Sequence, residues 1–167
     1  MNNIDFSLHT ILFVVRFILQ VIAFSYPNIP PLIRITIIFL TDLIDSEIYR
    51  AKYKGHILSN DKVYQVYDKT NDIIGYIFTY LIIVSNKLFT KNETLLLTTV
   101  LIYRMIGTYL SYTMKDRTFF FIFFDVYKEL IYILYFIKDT HIRFYTFMVL
   151  IAIKICIEYS FHVKNLI

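Results

Sequence analysis

Apolar residues run through this chain in six stretches, separated by short polar segments. The first stretch covers Thr10 to Phe24 and is interrupted only by Arg16 and Gln20. Tyr26-Pro27-Asn28-Ile29-Pro30-Pro31 ends it. Proline removes a backbone donor and disfavours helix in the residue before it. The second stretch opens apolar at Leu32 and carries Asp42, Asp45 and Glu47 towards its end. A polar segment from Arg50 to Lys62 follows. A helix that crosses a bilayer needs about 20 mostly apolar residues. On that scale the pattern predicts helices over about 10–25, 32–49, 63–84, 94–112, 118–137 and 144–161. No basic residue precedes the first run and no small-residue cleavage site follows it, so it reads as a retained helix.

Composition agrees with the pattern. Of 167 residues, 57% are hydrophobic and 18% charged, and Phe and Tyr number 16 and 15. Soluble domains carry about 45–50% apolar and about 25% charged residues. A disordered chain would be poorer in aromatics. The single cysteine, Cys156, excludes a disulfide scaffold. The expected fold is therefore an all-α membrane protein, one domain of six transmembrane helices spanning residues 1–167. Six crossings put both termini on one side. The loops on that side hold more Lys and Arg, so the N- and C-termini are expected in the cytoplasm. A net charge of +4 suits an anionic lipid surface and is too scattered for nucleic acid.

The scarce charges carry the chemistry. A charge at the centre of a spanning helix costs about 2.5–3.5 kcal/mol on insertion scales. Asp42 and Asp45 are three residues apart, roughly 60° around a helix, and Asp68 and Asp72 are four apart, roughly 40°. Each pair shares one helix face. The second helix ends and the third begins on the same side, so the two pairs can meet at one depth. Four clustered carboxylates need a cation to neutralise them, and hard divalent ions take oxygen ligands. Ion pairing to Arg50, Lys52 or Lys69 is the plainer reading of the same aspartates.

These residues resemble the signature of the CDP-alcohol phosphatidyltransferases, D-x2-D-G-x2-A-R followed by G-x3-D-x3-D. The first half reads Asp42-Leu43-Ile44-Asp45-Ser46-Glu47-Ile48-Tyr49-Arg50 and the second Tyr64-Gln65-Val66-Tyr67-Asp68-Lys69-Thr70-Asn71-Asp72. Ser46, Tyr49 and Tyr64 stand where the family has glycine, alanine and glycine. The resemblance implies a six-helix membrane enzyme that moves a phosphoalcohol group from a CDP-linked lipid or alcohol to an acceptor hydroxyl, releasing CMP. It implies two divalent ions, Mg²⁺ or Mn²⁺, on Asp42, Asp45, Asp68 and Asp72. Asp72 would be the general base, and Ser46 and Arg50 would contact the nucleotide. CDP-diacylglycerol or another CDP-alcohol, a small alcohol or lipid acceptor, and the bilayer would be the partners. The active site would face the cytoplasm, and a homodimer is in keeping with the family.

Arg104, central in the fourth helix, and Lys128 in the fifth are candidates to touch the acceptor or a lipid headgroup. For Arg104 a structural pair with an acid such as Asp125 stands beside that reading. Arg16 has two readings, headgroup contact or an interior position. Arg34 is expected to snorkel to the membrane surface, and Lys154 to pair with Glu158. Two alternatives to the enzyme remain open here: a nonenzymatic membrane protein of the same fold, and a small divalent-cation carrier.

Overall fold

The computed structural model describes the backbone of residues 3–52, 62–114, 116 and 118–162, and the side chains of 10–43, 66–114, 116 and 118–159. It is all-helical, with no strand among the described residues. The chain forms two compact units, Met1–Asn86 and Lys87–Ile167.

In the first unit α1 (Asn3–Ser25), α2 (Pro31–Lys52) and α3 (Lys62–Ser85) each pack against the other two. Pro31 opens α2 at the first helical position, where its missing N–H is not needed. Arg34 does not snorkel. It is buried, and its guanidinium donates to the carbonyls of Ala23 (2.9 Å) and Phe24 in the last turn of α1. Those carbonyls have no intrahelical partner, so the cation completes the helix end and gains charge-assisted bonds there. The inward stripe of α1 is Leu12, Arg16, Gln20 and Ala23, at helical spacing. The helices it packs on bury Ile35, Ile38 and Thr41 of α2, and Asp68, Asn71, Asp72, Tyr76, Thr79, Ile82 and Ile83 of α3. Gly75 lets α3 approach closely. A Cβ there would lie 3.1 Å from both Gln20 Nε2 and Ile38 Cγ2. Phe24 stacks on Phe78 with centroids 4.8 Å apart.

In the second unit α4 (Lys91–Met114) packs on α5 (Thr118–Ile122) and α6 (Tyr127–Phe136), and both pack on α7 (Thr140–His162). A reciprocal cap starts α4: Thr90 N donates to Glu93 Oε2 (2.9 Å) and Glu93 N to Thr90 Oγ1 (3.4 Å). The single helix expected over 118–137 is broken between Ile122 and Tyr127. The cause lies on the neighbouring helix. Gly107 of α4 has no side chain, and Phe123 occupies that space. A Cβ at Gly107 would fall 2.1 Å from Phe123 Cβ. Arg104 Nη1 donates to the Phe123 carbonyl (2.8 Å) and the Tyr103 hydroxyl to that of Ile122, so the freed acceptors are satisfied. Asp125 Oδ1 then accepts the Tyr127 N–H (3.1 Å) and restarts the chain as α6.

Two helices, Lys91–Met114 and Thr140–Tyr159, are long and apolar enough to cross a membrane. α7 exposes Phe144, Tyr145, Met148, Val149, Ile153 and Ile157 around much of its circumference. Apolar surface this extensive is what a lipid phase or a partner would cover.

Candidate cation site

The site lies in the first unit and is assembled from all three helices. α3 supplies Asp68 and Asp72, one turn apart and both buried; α2 supplies Asp42, whose side chain is 30% exposed. One oxygen from each of the three lies within 4.8 Å of the others. That spacing lets Asp42, Asp68 and Asp72 hold a metal ion, since Ca²⁺–oxygen bonds of about 2.3–2.6 Å place ligand oxygens within this range of one another. The pairs on α2 and α3 therefore do meet, as the helical spacing predicted, for the three aspartates whose side chains are described. Asp45, Ser46 and Arg50 lie in α2, but their side chains are outside the described residues, as is the polar segment over 53–61.

Arg16 of α1 reaches into the same place. It is 2% exposed. Its Nη1 donates to Asp68 Oδ1 (3.0 Å), and its Nη2 to Asp72 Oδ1 (2.9 Å) and Asp42 Oδ1 (3.3 Å). Lys69 Nζ binds the outer oxygens, Asp68 Oδ2 at 2.7 Å and Asp72 Oδ2 at 3.0 Å. Charges taken out of water are tolerable only when they are paired and hydrogen-bonded, and here the pairing is dense.

A polar seam runs inward from this cluster. Gln20 Nε2, one turn from Arg16, donates to Thr41 Oγ1 and to the Asn71 carbonyl, both at 3.3 Å. Asn71 Nδ2 donates to the Phe13 carbonyl at 3.3 Å. These contacts fix both amides, because a flip would set oxygen against carbonyl oxygen. Gln20 Oε1, Asn71 Oδ1 and Thr79 Oγ1 are buried and meet no protein donor. Beyond Thr79 the interior becomes apolar at Ile35, Ile82 and Ile83.

No family model, curated protein or solved structure matches the chain.

The remaining candidates, Arg104 and Lys128, lie in the second unit. Arg104 is buried, bound to the Phe123 carbonyl, with its guanidinium carbon 5.1 Å from the centroid of the Phe120 ring. It braces the break between α5 and α6. Lys128 is half-buried in the first turn of α6. Lys154 reaches Glu129 across helices, Nζ to Oε1 at 2.5 Å.

Arg16 is the residue whose role the sequence left open. Its one signal was position: a lone cation in an apolar run, sharing a helix face with Gln20 four residues on. That pattern left headgroup contact and an interior position both open, and it is the structure that puts Arg16 inside the first unit. Lys69 was visible as a neighbour of both aspartates on its own helix.

Proposed function

We propose that this chain is an integral membrane phosphotransferase. It would carry a phosphoalcohol group from a CDP-linked lipid or alcohol to an acceptor hydroxyl, with release of CMP. The observation that supports this is the convergence of Asp42 with Asp68 and Asp72. Three signature aspartates from two helices are brought to one end of a helical unit, with oxygens within 4.8 Å. In this reading six helices span the bilayer, the termini and the site face the cytoplasm, and Asp45 and Arg50 complete the signature.

A divalent Mg²⁺ or Mn²⁺ on the carboxylates would polarise the phosphorus and neutralise the diphosphate. The chain's own residues would do the rest. Asp72 takes the proton of the acceptor hydroxyl as its oxygen bonds to phosphorus, and the bond from phosphorus to the CMP oxygen breaks. Ser46 and Arg50 hold the nucleotide. Positioning and fixed charge supply most of the acceleration in such transfers.

The test is release of CMP by the purified protein in nanodiscs, with CDP-diacylglycerol, Mg²⁺ or Mn²⁺ and a panel of alcohols. CMP is expected with at least one acceptor, and Asp72→Asn is expected to reduce its release by about 10²-fold or more. A folded protein that releases no CMP from any pair of substrates would sink the enzyme reading.

One observation favours a second reading, a nonenzymatic membrane protein of the same fold. Arg16 and Lys69 already neutralise the carboxylates from within the chain. Ser46, Tyr49 and Tyr64, in place of small residues, fit that reading too.

A further inference from the structure

We propose that Arg16 and Lys69 fill the cation positions of the carboxylate cluster, so that a divalent ion enters only by displacing the Arg16 guanidinium. The pattern of contacts carries this. Asp68 and Asp72 each give Oδ1 to Arg16 and Oδ2 to Lys69. Two cations are thus bridged by two carboxylates, the arrangement that carboxylate-bridged metal pairs adopt. Asp42 closes the set on the Arg16 side.

The oxygens a metal would use are the ones these side chains hold. An ion bonded at about 2.0–2.6 Å to the three converging carboxylates would sit among the guanidinium nitrogens, facing a like charge at short range. Protonation offers no relief, because arginine keeps its charge at every accessible pH. Dilution offers none either. Arg16 is anchored within α1 and buried, so it competes as an intramolecular ligand at high effective concentration. Lys69 differs in one respect. Its side chain is 23% exposed against 3% for Arg16. An ammonium on a flexible stem that touches solvent can leave, whereas the guanidinium is enclosed. Arg16 is therefore the residue that sets the cluster's affinity for divalent ions. This inference rests on the carboxylate geometry and stands whether or not the chain transfers phosphoryl groups.

The experiment uses the full chain in nanodiscs and Mn²⁺ alone as probe, with free Mn²⁺ read by electron paramagnetic resonance. Wild type is compared with Arg16→Gln, Arg16→Lys and Lys69→Gln. Arg16→Gln is expected to bind Mn²⁺ about tenfold or more tighter than wild type, as loss of one unit charge at contact distance implies. Lys69→Gln should gain less, and Arg16→Lys should stay near wild type. Adding Asp68→Asn to Arg16→Gln should abolish the gain. Wild type that binds Mn²⁺ as tightly as Arg16→Gln overturns the proposal. If Arg16→Gln does not fold, the wild-type melting temperature decides: indifference to micromolar Mn²⁺ and to EDTA supports displacement, and a rise with Mn²⁺ reversed by EDTA overturns it. CMP release is not used in any arm, so a failure here is distinct from a failure of the phosphotransfer reading.

Discussion

Each unit buries an arginine well inside a long helix, and the two serve different ends. Arg16 is 2% exposed and Arg104 is 5% exposed. From the sequence they look alike, each a cation in an apolar run. Arg16 is bound by three carboxylates from two other helices. Arg104 is bound by a backbone carbonyl where a helix breaks, and lies against the face of Phe120. Arg34 and Arg143 follow the second pattern. Arg34 takes carbonyls at the end of α1; half-buried Arg143 takes those of Leu134 and Ile137 at the end of α6 and also pairs with the single carboxylate of Glu93. A buried cation is thus weak grounds for a functional site until its partner is known. A carbonyl partner marks a helix end being completed, and a carboxylate cluster marks charge gathered for some other reason.

The largest effect that tests this contrast is on stability. Arg16→Leu would leave three carboxylates together with only Lys69 among their described cationic partners. A loss of about 3–5 kcal/mol is expected on breaking so buried a set. Arg104→Leu removes the charge-assisted bond to the Phe123 carbonyl and the contact with the Phe120 ring, which together are worth about 1.5–3 kcal/mol. Denaturant unfolding in detergent measures both. An Arg104 loss equal to that of Arg16 would erase the distinction.

Gly107→Ala comes next. Its new methyl would meet Phe123 Cβ at 2.1 Å, so the break must shift, at about 1–3 kcal/mol. Gly75→Ala should cost less, because the 3.1 Å contacts include the end of the flexible Gln20 side chain. Reversal of that order would mean that the first unit is the tighter of the two.

The smallest effect is at the solvent-exposed start of α5. The backbone N–H of Thr118 donates to Asp116 at 2.8 Å, and this bond, with that of the Thr118 side chain, holds the carboxyl below the usual aspartate range. A depressed value means that the cap is present at neutral pH and lost as pH falls through the lowered value. Exchange of the Thr118 amide should therefore lose protection in acid, relative to Asp116→Asn at the same pH. Equal protection in both proteins throughout would show that the cap contributes nothing.

Much of the helical layout was legible because it depends on local pattern. Prolines at 27, 30 and 31 ended one helix and began the next, and the aspartate spacings put Asp68 and Asp72 on one face. What was not legible depended on a neighbour. The run Phe119 to Phe124 contains no glycine or proline, so nothing in it announces a break. The break is set by Gly107 on α4, sixteen residues before Phe123. Arg34 was assigned to the surface by its place near a helix end, but the carbonyls beside it belong to α1. Lys154, spaced to meet Glu158, reaches Glu129 instead. In the candidate site the carboxylates were visible as a repeat, and Arg16 was not, since no local rule ties residue 16 to residues 42, 68 and 72.

That separation also bears on how the first unit assembles. The bonds of Arg16 to Asp42, Asp68 and Asp72 span 26, 52 and 56 residues of chain. The bond of Arg104 to Phe123 spans 19. Closing the longer loops costs entropy before any contact offsets it, and contacts distant in sequence slow folding. The guanidinium cannot meet its full set of carboxylates until α1, α2 and α3 have all come together. Until then Lys69 is the partner that α3 itself offers Asp68 and Asp72, and Arg16 stands in a mostly apolar run of α1. Docking of α1 on α3 makes the bonds to Asp68 and Asp72, and α2 then adds the longer bond to Asp42, so the cluster ties the order of gain to the order in which the helices meet.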